Sequence, residues 1–395
     1  MRIAYFAFDQ FIPSEHAGFV HTLGIIKGLQ QTGHDVTLYA LPAPPKLYNI
    51  LEWGGIYRNI KVKYVRFTVS FKPVVIALLP LNIPSFLNTW KSISEQNPDI
   101  IHERFHTPNP FSRYIGDKKN IPRILEVNSL YIEDGAYKNK LSIKLATCDR
   151  NKQFQNSKAL ITQTGSLKKM LEKITDKAVY VVPNGVDTEK FVPDIASDSI
   201  RRDLRLAADD IIVTFVGSFR EWHGVHQIPA IASEIGKKHK NVKFLLIGSG
   251  HLYDLVNKTR SDNMLLLGSK EYDRIPEYLA ISDILIAPFD TSRFKYIDRY
   301  GFWWNPVKLY EYLSSGKPVV TYDYPEIAKI VKDAGMLAAP GSIDDFTDKL
   351  EYLIQDRKTR LELGKKGREL AIREYDWKIR AKQTGDIYKE ILQNR

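Results

Sequence analysis

The stretch Asn305-Pro306-Val307-Lys308-Leu309-Tyr310-Glu311-Tyr312-Leu313-Ser314-Ser315-Gly316-Lys317-Pro318-Val319-Val320 holds a helix start, a helix stop and a buried strand in one short run. Asn305 is expected to cap the helix, with Pro306 in the first helical position, where no N–H is needed. Gly316 falls where a left-handed residue ends a helix, and Pro-Val-Val reads as the next strand. The start of such a helix presents unpaired N–H groups and partial positive charge, a natural anion site. Lys308 and Glu311, three apart, share a face near that end. A cation beside a phosphate and a carboxylate one turn deeper suit a nucleotide diphosphate and its ribose.

Outward from this block, both halves of the chain alternate short apolar strands with helical periodicity, which predicts parallel sheets wrapped by helices. Strands are expected at 2–8, 35–40, 99–103, 123–127, 159–162 and 178–182. A second set follows at 211–217, 242–247, 264–267, 283–287, 318–322 and 336–338. The segment 342–395 reads as three helical pieces. Between the first two strands, Phe19, Val20, Leu23, Ile26 and Leu29 recur at helical spacing, and Gly33 ends that helix. Pro183-Asn184-Gly185-Val186-Asp187 is a turn cluster closing the first half, and the polar stretch Asp194 to Asp210 reads as a linker. The fold class is therefore α/β, with two Rossmann-like doubly wound domains facing a central cleft.

The 395 residues allow two domains of ordinary size, and 44% hydrophobic with 26% charged residues is ordinary for a globular protein. One cysteine, Cys148, excludes an internal disulfide framework and suits the cytosol. Met1-Arg2 leads straight into an apolar strand without a signal-peptide layout. The apolar run from Pro73 to Pro84 is too short to span a bilayer but long enough to touch one. The net charge of +11 is uneven: residues 1–190 carry 25 Lys and Arg against 16 Asp and Glu. This imbalance suits an anionic partner such as lipid head groups, a lipid diphosphate or nucleic acid, or else a merely soluble basic surface. Five basic and no acidic residues between Arg58 and Lys72 fit an edge strand or a membrane-facing patch.

Candidate chemistry sits in loops after strands. Gly18, at the end of Pro13-Ser14-Glu15-His16-Ala17-Gly18, lets a backbone N–H approach a phosphate. In Gly217-Ser218-Phe219-Arg220-Glu221-Trp222-His223-Gly224, Arg220 offers a fork of donors for diphosphate oxygens and His223 a second donor. Gly248-Ser249-Gly250 marks a tight turn. Arg299-Tyr300-Gly301-Phe302-Trp303-Trp304 is either a stacking surface or a hydrophobic plug. His102-Glu103-Arg104 and Glu126-Val127-Asn128 place charge at strand ends, where burial is costly without a role. No Cys/His cluster has zinc spacing, and neither a Walker-A loop nor a Gly-x-Ser-x-Gly elbow is present.

Taken together, these motifs resemble the GT-B fold glycosyltransferases of the retaining family-4 type, the glycosyl transferases group 1, over nearly the whole length. The likeness rests on Gly33-His34-Asp35-Val36, the Pro183–Asp187 turn, the Gly217–Gly224 loop, Asp283-Ile284…Pro288 and the block opening at Pro306. It implies an N-terminal acceptor domain, 1–188 with a returning helix 377–395, and a C-terminal nucleotide-sugar domain, 189–376. In this resemblance Glu311 accepts from the ribose and the N–H groups around Val307, Lys308 and Leu309 hold the diphosphate. Arg220 neutralises the leaving phosphate, with Lys308 and Glu311 completing the catalytic set. Gly18, Gly217, His223, Gly250 and Pro306 complete the donor site, and His16, Arg104, Glu126 and Asn128 are acceptor-side candidates.

The implied reaction moves a sugar with retention from a UDP- or GDP-linked donor to a glycan, lipid-linked or glycolipid acceptor. It would serve cell-surface polysaccharide biosynthesis, without cofactor, metal or nucleic acid. The expected place is the cytoplasm, peripheral at the inner face of the membrane through the basic N-terminal domain. The alternative is a non-catalytic nucleotide-sugar-binding subunit. Three departures stand out: Trp303 lies eight positions before Glu311, where many relatives carry glutamate; His223 replaces a lysine; and Glu126 and Asn128 stand where a histidine is common.

Overall fold

The computed structural model describes residues 1–12, 17–42, 60–65, 83–107, 111–130, 139–292 and 301–393. His16 with Pro13–Glu15, Arg299 and Tyr300, and most of the 58–72 and 73–84 stretches lie outside the described residues. The chain divides into two compact units, Met1–Pro183 with Trp377–Arg395, and Asn184–Asp376. The first boundary falls before Asn184 rather than at 188. The reason is local: the Asn184 N–H donates to Asn305 Oδ1 at 2.7 Å, and its side-chain amide donates to the Asn305 carbonyl, so Asn184 already belongs to the second unit.

Unit 1 carries a seven-stranded sheet: β1 Arg2–Ile12, β2 Asp35–Pro42, β3 Lys61–Tyr64, β4 Ile100–Arg104, β5 Arg123–Glu126, β6 Ala159–Thr162 and β7 Val179–Val181. The order is β3-β2-β1-β4-β5-β6-β7, and every pair is parallel. The basic stretch contributes β3 as the edge strand, with Lys61 and Lys63 exposed. β4 is buried along its whole length, because a central parallel strand is covered by helices on both faces. Its alternation sends Ile101 into an apolar layer with Phe6, Tyr39, Ile93 and Ile115.

Unit 2 repeats the design with six strands: β8 Ile211–Val216, β9 Val242–Ile247, β10 Met264–Gly268, β11 Ile284–Ala287, β12 Val319–Tyr322 and β13 Gly335–Ala338. Their order is β10-β9-β8-β11-β12-β13, again all parallel. Its core joins Val213, Phe215, Phe219, Ile228, Ile231, Leu246 and Ile286. In each sheet the strand order reverses once, between β1 and β4 and between β8 and β11, where doubly wound sheets bind ligands.

Two local expectations are corrected. Asp194–Asp210 is no linker but part of unit 2: Ile200 of the helix Asp198–Asp203 is buried, and Asp210 accepts the Ala207 N–H at 2.8 Å. The polar residues there satisfy their own backbone, which composition alone does not distinguish from a linker. The decisive helix spans Val307–Ser314 and starts one residue late, with extended Pro306 just outside it. Asn305 does not cap it. Its Oδ1 accepts from the Asn184 N–H and from the Tyr310 hydroxyl at 2.9 Å, so a distant turn outcompetes the local cap.

Candidate active site

In unit 2 the loop after β8, the residues after β11 and the start of the helix Val307–Ser314 converge on Lys308. The Lys308 ammonium lies 4.4 Å from the Phe215 ring centroid and 5.5 Å from that of Phe289. Its Nζ is occluded from solvent and has no hydrogen-bond partner among the described residues. Burial drives its pKa down to about 7, against a smaller opposing pull from Glu311. Gly217 makes room for it: a Cβ there would stand 2.3 Å from Nζ, and the residue has φ +151. Gly224, at φ +67, allows equally close packing on the Pro288 carbonyl, which a Cβ would meet at 1.5 Å. A buried ammonium without a partner is expensive, and an arriving anion would satisfy it.

The neighbouring groups divide by exposure. Arg220 is exposed, its guanidinium 5.2 Å from the Trp222 ring, within reach of a ligand in water. His223 is turned inward, with Nδ1 2.6 Å from the Ser218 carbonyl. A carbonyl only accepts, so Nδ1 carries the proton and the neutral ring has no N–H left for a phosphate. Burial, then Lys308, push this imidazole well below its usual range. Without a ligand, the Nδ1 proton of His223 is thus held by Ser218, and the cation buried beside it is Lys308. Of the N–H groups expected at the diphosphate, that of Leu309 already donates to the Pro306 carbonyl at 3.2 Å, and those of Val307 and Lys308 have no acceptor among the described residues. Gly250, at φ +154, faces the Phe219 backbone, where a Cβ would stand 2.6 Å from its oxygen; packing accounts for it.

Glu311 is buried, and its Oε1 accepts from the Tyr272 hydroxyl at 2.8 Å. Burial raises its pKa, opposed by Tyr272, Lys190 and Lys308. Trp303 is 2% exposed and Phe302 6%, so these two rings are packed inward rather than offered as an open stacking surface. Phe302 stacks on Tyr324 at 4.9 Å and meets Phe289 at 5.5 Å.

In unit 1, Gly18 lies in the first turn of the helix Ala17–Gln31, where a Cβ would stand 3.4 Å from an Arg104 nitrogen. Register sets Tyr5 beside His102 and Arg104 beside Glu126. Glu126 accepts from Tyr5 at 2.9 Å, His102 Nε2 at 3.0 Å, Arg104 at 2.9 Å and Asn128 at 2.5 Å, and His21 Nε2 lies 2.8 Å away. Burial raises the Glu126 pKa, but His21, Arg104 and the hydrogen bonds hold it well below the carboxylate range. Arg104 also grips Asp9 at 2.9 to 3.1 Å. Glu126 and Arg104 are thus fully engaged within their own unit. Asn128 keeps a buried Oδ1 without a partner among the described residues.

Sequence reasoning missed Tyr272, Lys190, Phe215, Phe289, Asp9, His21 and Tyr388. Only Lys190 carried a signal, lying just past the Pro183–Asp187 turn.

Comparison with known proteins agrees with this architecture. Residues 196–370 match the profile of Glycosyl transferases group 1, and residues 19–190 match Glycosyltransferase Family 4. An uncharacterised glycosyltransferase of Methanocaldococcus jannaschii is 23% identical over 85% of this chain and 86% of its own. The N,N'-diacetylbacillosaminyl-diphospho-undecaprenol alpha-1,3-N-acetylgalactosaminyltransferase of Campylobacter jejuni is 25% identical over 96% and 98%. The solved structure of Anabaena HepE in complex with UDP and glucose superposes with a TM-score of 0.72 at 15% identity, covering 99% of this chain and all of that one. Two parallel-sheet units, the switch-point cation and these matches together make the chain an enzyme of the GT-B fold, a family-4-like glycosyltransferase.

Proposed function

We propose that the enzyme transfers a sugar, with retention, from a UDP- or GDP-linked donor to a glycan, lipid-linked or glycolipid acceptor in cell-surface polysaccharide synthesis. The observation that carries this reading is the Lys308 ammonium, unpartnered among the described residues, at a helix start beside Gly217 with a buried carboxylate one turn on. The diphosphate would meet Lys308, Arg220 and the Val307 and Lys308 N–H groups, with the ribose at Glu311. The bond from the anomeric carbon to the diphosphate oxygen breaks, the acceptor hydroxyl oxygen bonds to that carbon, and its proton ends on the departing diphosphate or water. Stabilising the leaving anion is the protein's main contribution. These cations take the part a metal would play, so activity is expected to survive EDTA. With Trp303 buried in place of a carboxylate, other groups must read the donor sugar.

On the acceptor side Asn128, whose Oδ1 has no partner among the described residues, is better placed than Glu126, whose oxygens are occupied. The Campylobacter relative uses a diphospho-undecaprenol acceptor, which favours a lipid-linked acceptor here. Among the described residues no helix is long and apolar enough to cross a membrane. A surface patch on unit 1 suits peripheral contact instead. Phe86, Trp90 and Tyr114 cluster at 5.5 to 6.2 Å, and Lys119 lies 4.4 Å from the Trp90 ring centroid. Ile83 and Leu87 stand about half exposed beside them, at 52% and 57%. Exposed aliphatics, aromatic rings and lysines together fit an anionic bilayer surface.

The test is nucleoside diphosphate release from a panel of UDP- and GDP-sugars, with and without cell lipid extract. Glu311→Ala should weaken nucleotide affinity roughly ten- to a hundredfold, the worth of a hydrogen bond to a charged group. Arg220→Ala should lower kcat roughly a hundredfold or more with a smaller change in affinity. Wild-type activity in both variants would refute the site.

A further inference from the structure

Glu311 is held by a chain of contacts from two segments far from it in sequence. Tyr272, in the single turn Tyr272–Arg274 beyond β10, donates its hydroxyl to Glu311 Oε1 at 2.8 Å. Over the other side of its ring, 3.9 Å from the centroid, sits the Lys190 ammonium. Lys190 in turn pairs with Asp273 at 2.6 Å, and its backbone N–H donates to Asp187 Oδ1 at 3.0 Å. The Phe191 ring, 5.7 Å away, closes the clasp.

The physical consequences concern the carboxylate. A buried carboxyl tends to keep its proton and then donates where it should accept. A cation on the face of a phenol draws electron density from the ring and makes its O–H a stronger donor. With Oε1 accepting from Tyr272, Oε2 has no hydrogen-bond partner among the described residues. Among the described residues, the charged and titratable groups around Glu311 are Tyr272, Lys190, Lys308 and Tyr312, with Asp187 and Asp273 behind Lys190. Tyr272 is the one that touches the carboxylate.

We propose that Tyr272 is a positioning residue: clasped by Lys190 and Asp273, its hydroxyl fixes Oε1 of Glu311 and leaves Oε2 to accept from the ribose of a bound nucleoside diphosphate. This rests on the reading of unit 2 as a nucleotide site and adds to it the group that orients and ionises the ribose-reading carboxylate. Tyr272 does not touch the substrate.

The test uses the full-length enzyme, calorimetry from pH 5 to 8, and UDP, GDP and their 2′-deoxy and 3′-deoxy forms as probes. In wild type the better-bound diphosphate should lose about tenfold in affinity when a ribose hydroxyl is removed. In Tyr272→Phe, which keeps the ring, that discrimination should collapse. The acid limb of the affinity profile should also move to higher pH, while affinity for the deoxy probes at pH 8 stays as in wild type. Lys190→Met, which leaves the hydroxyl in place but unclasped, should fall between the two. A Tyr272→Phe enzyme with wild-type discrimination and an unmoved acid limb overturns the proposal alone. Wild type that binds neither diphosphate, or binds the deoxy forms equally well, overturns the nucleotide reading and the proposal with it.

Discussion

Lys308 shows how one residue can be unfavourable for the fold and suited to its chemistry. Its pKa, about 7 against an ordinary 10.5, means that between these values the folded chain binds fewer protons than the unfolded one. Stability of the ligand-free protein should therefore rise as pH climbs from about 7 towards 10.5, by on the order of a few kcal/mol. Lys308→Met removes the buried amine but keeps the apolar stem. It should raise Tm near pH 7, flatten the pH dependence and weaken nucleotide affinity, as melts across pH and calorimetry would show. Diphosphate binding to wild type should take up a proton and weaken as pH passes above 7. Calorimetry in buffers of different ionisation enthalpy reads that proton directly, and its absence would mean that Lys308 does not meet the anion. The lysine and Glu311 were legible in the sequence because both lie on one helical face. Tyr272 and Lys190 were not, because their role depends on loops brought together by the sheet.

Among the elements, the C-terminal helix Trp377–Gln393 is the one whose seat is most specific. Its Trp377 ring lies against Gly24 of the helix Ala17–Gln31, where a Cβ would stand 2.1 Å from the indole, and its backbone meets Gly28, where a Cβ would stand 2.5 Å from the Trp377 carbonyl. Further along, the Tyr388 hydroxyl meets His102 Nδ1 at 2.5 Å, tying this helix to the Glu126 cluster. Gly24→Ala should unseat the helix, at about 1–3 kcal/mol of unit 1 stability, because neither ring nor backbone can retreat. Faster hydrogen exchange confined to Trp377–Gln393 and Ala17–Gln31 would bear this out; an unchanged exchange map would count against it. Periodicity revealed both helices, but the pairing of two glycines with one tryptophan needed three dimensions.

For the whole molecule, the uneven charge and the Phe86–Trp90–Tyr114 patch make one prediction. The enzyme should bind vesicles containing phosphatidylglycerol in a salt-sensitive way, and Trp90→Ala with Lys119→Ala should weaken binding several-fold while turnover of a soluble acceptor stays the same. Cosedimentation measures it, and equal binding to neutral vesicles at high salt would exclude an electrostatic surface. Along the chain, most strands were readable to within a residue or two, since strands covered on both faces are largely apolar, but β1 runs four residues past its expected end and β3 was legible only as a possible edge strand. The polar segment 194–210 misled, because hydrogen bonds that polar residues make to their own backbone leave no mark on composition.

What the sequence determined by itself was the order of elements, the two-unit α/β plan and the helix bearing Lys308 and Glu311. Each is written in local periodicity, turn chemistry and spacing. Tertiary structure decided which groups are ionised and which are free. It turned His223 inward, took Asn305 from its cap, engaged Glu126 from five sides and left the Lys308 ammonium alone. The reason is that burial and hydrogen-bond supply at any one residue are set by segments tens to hundreds of positions away, and those set its charge.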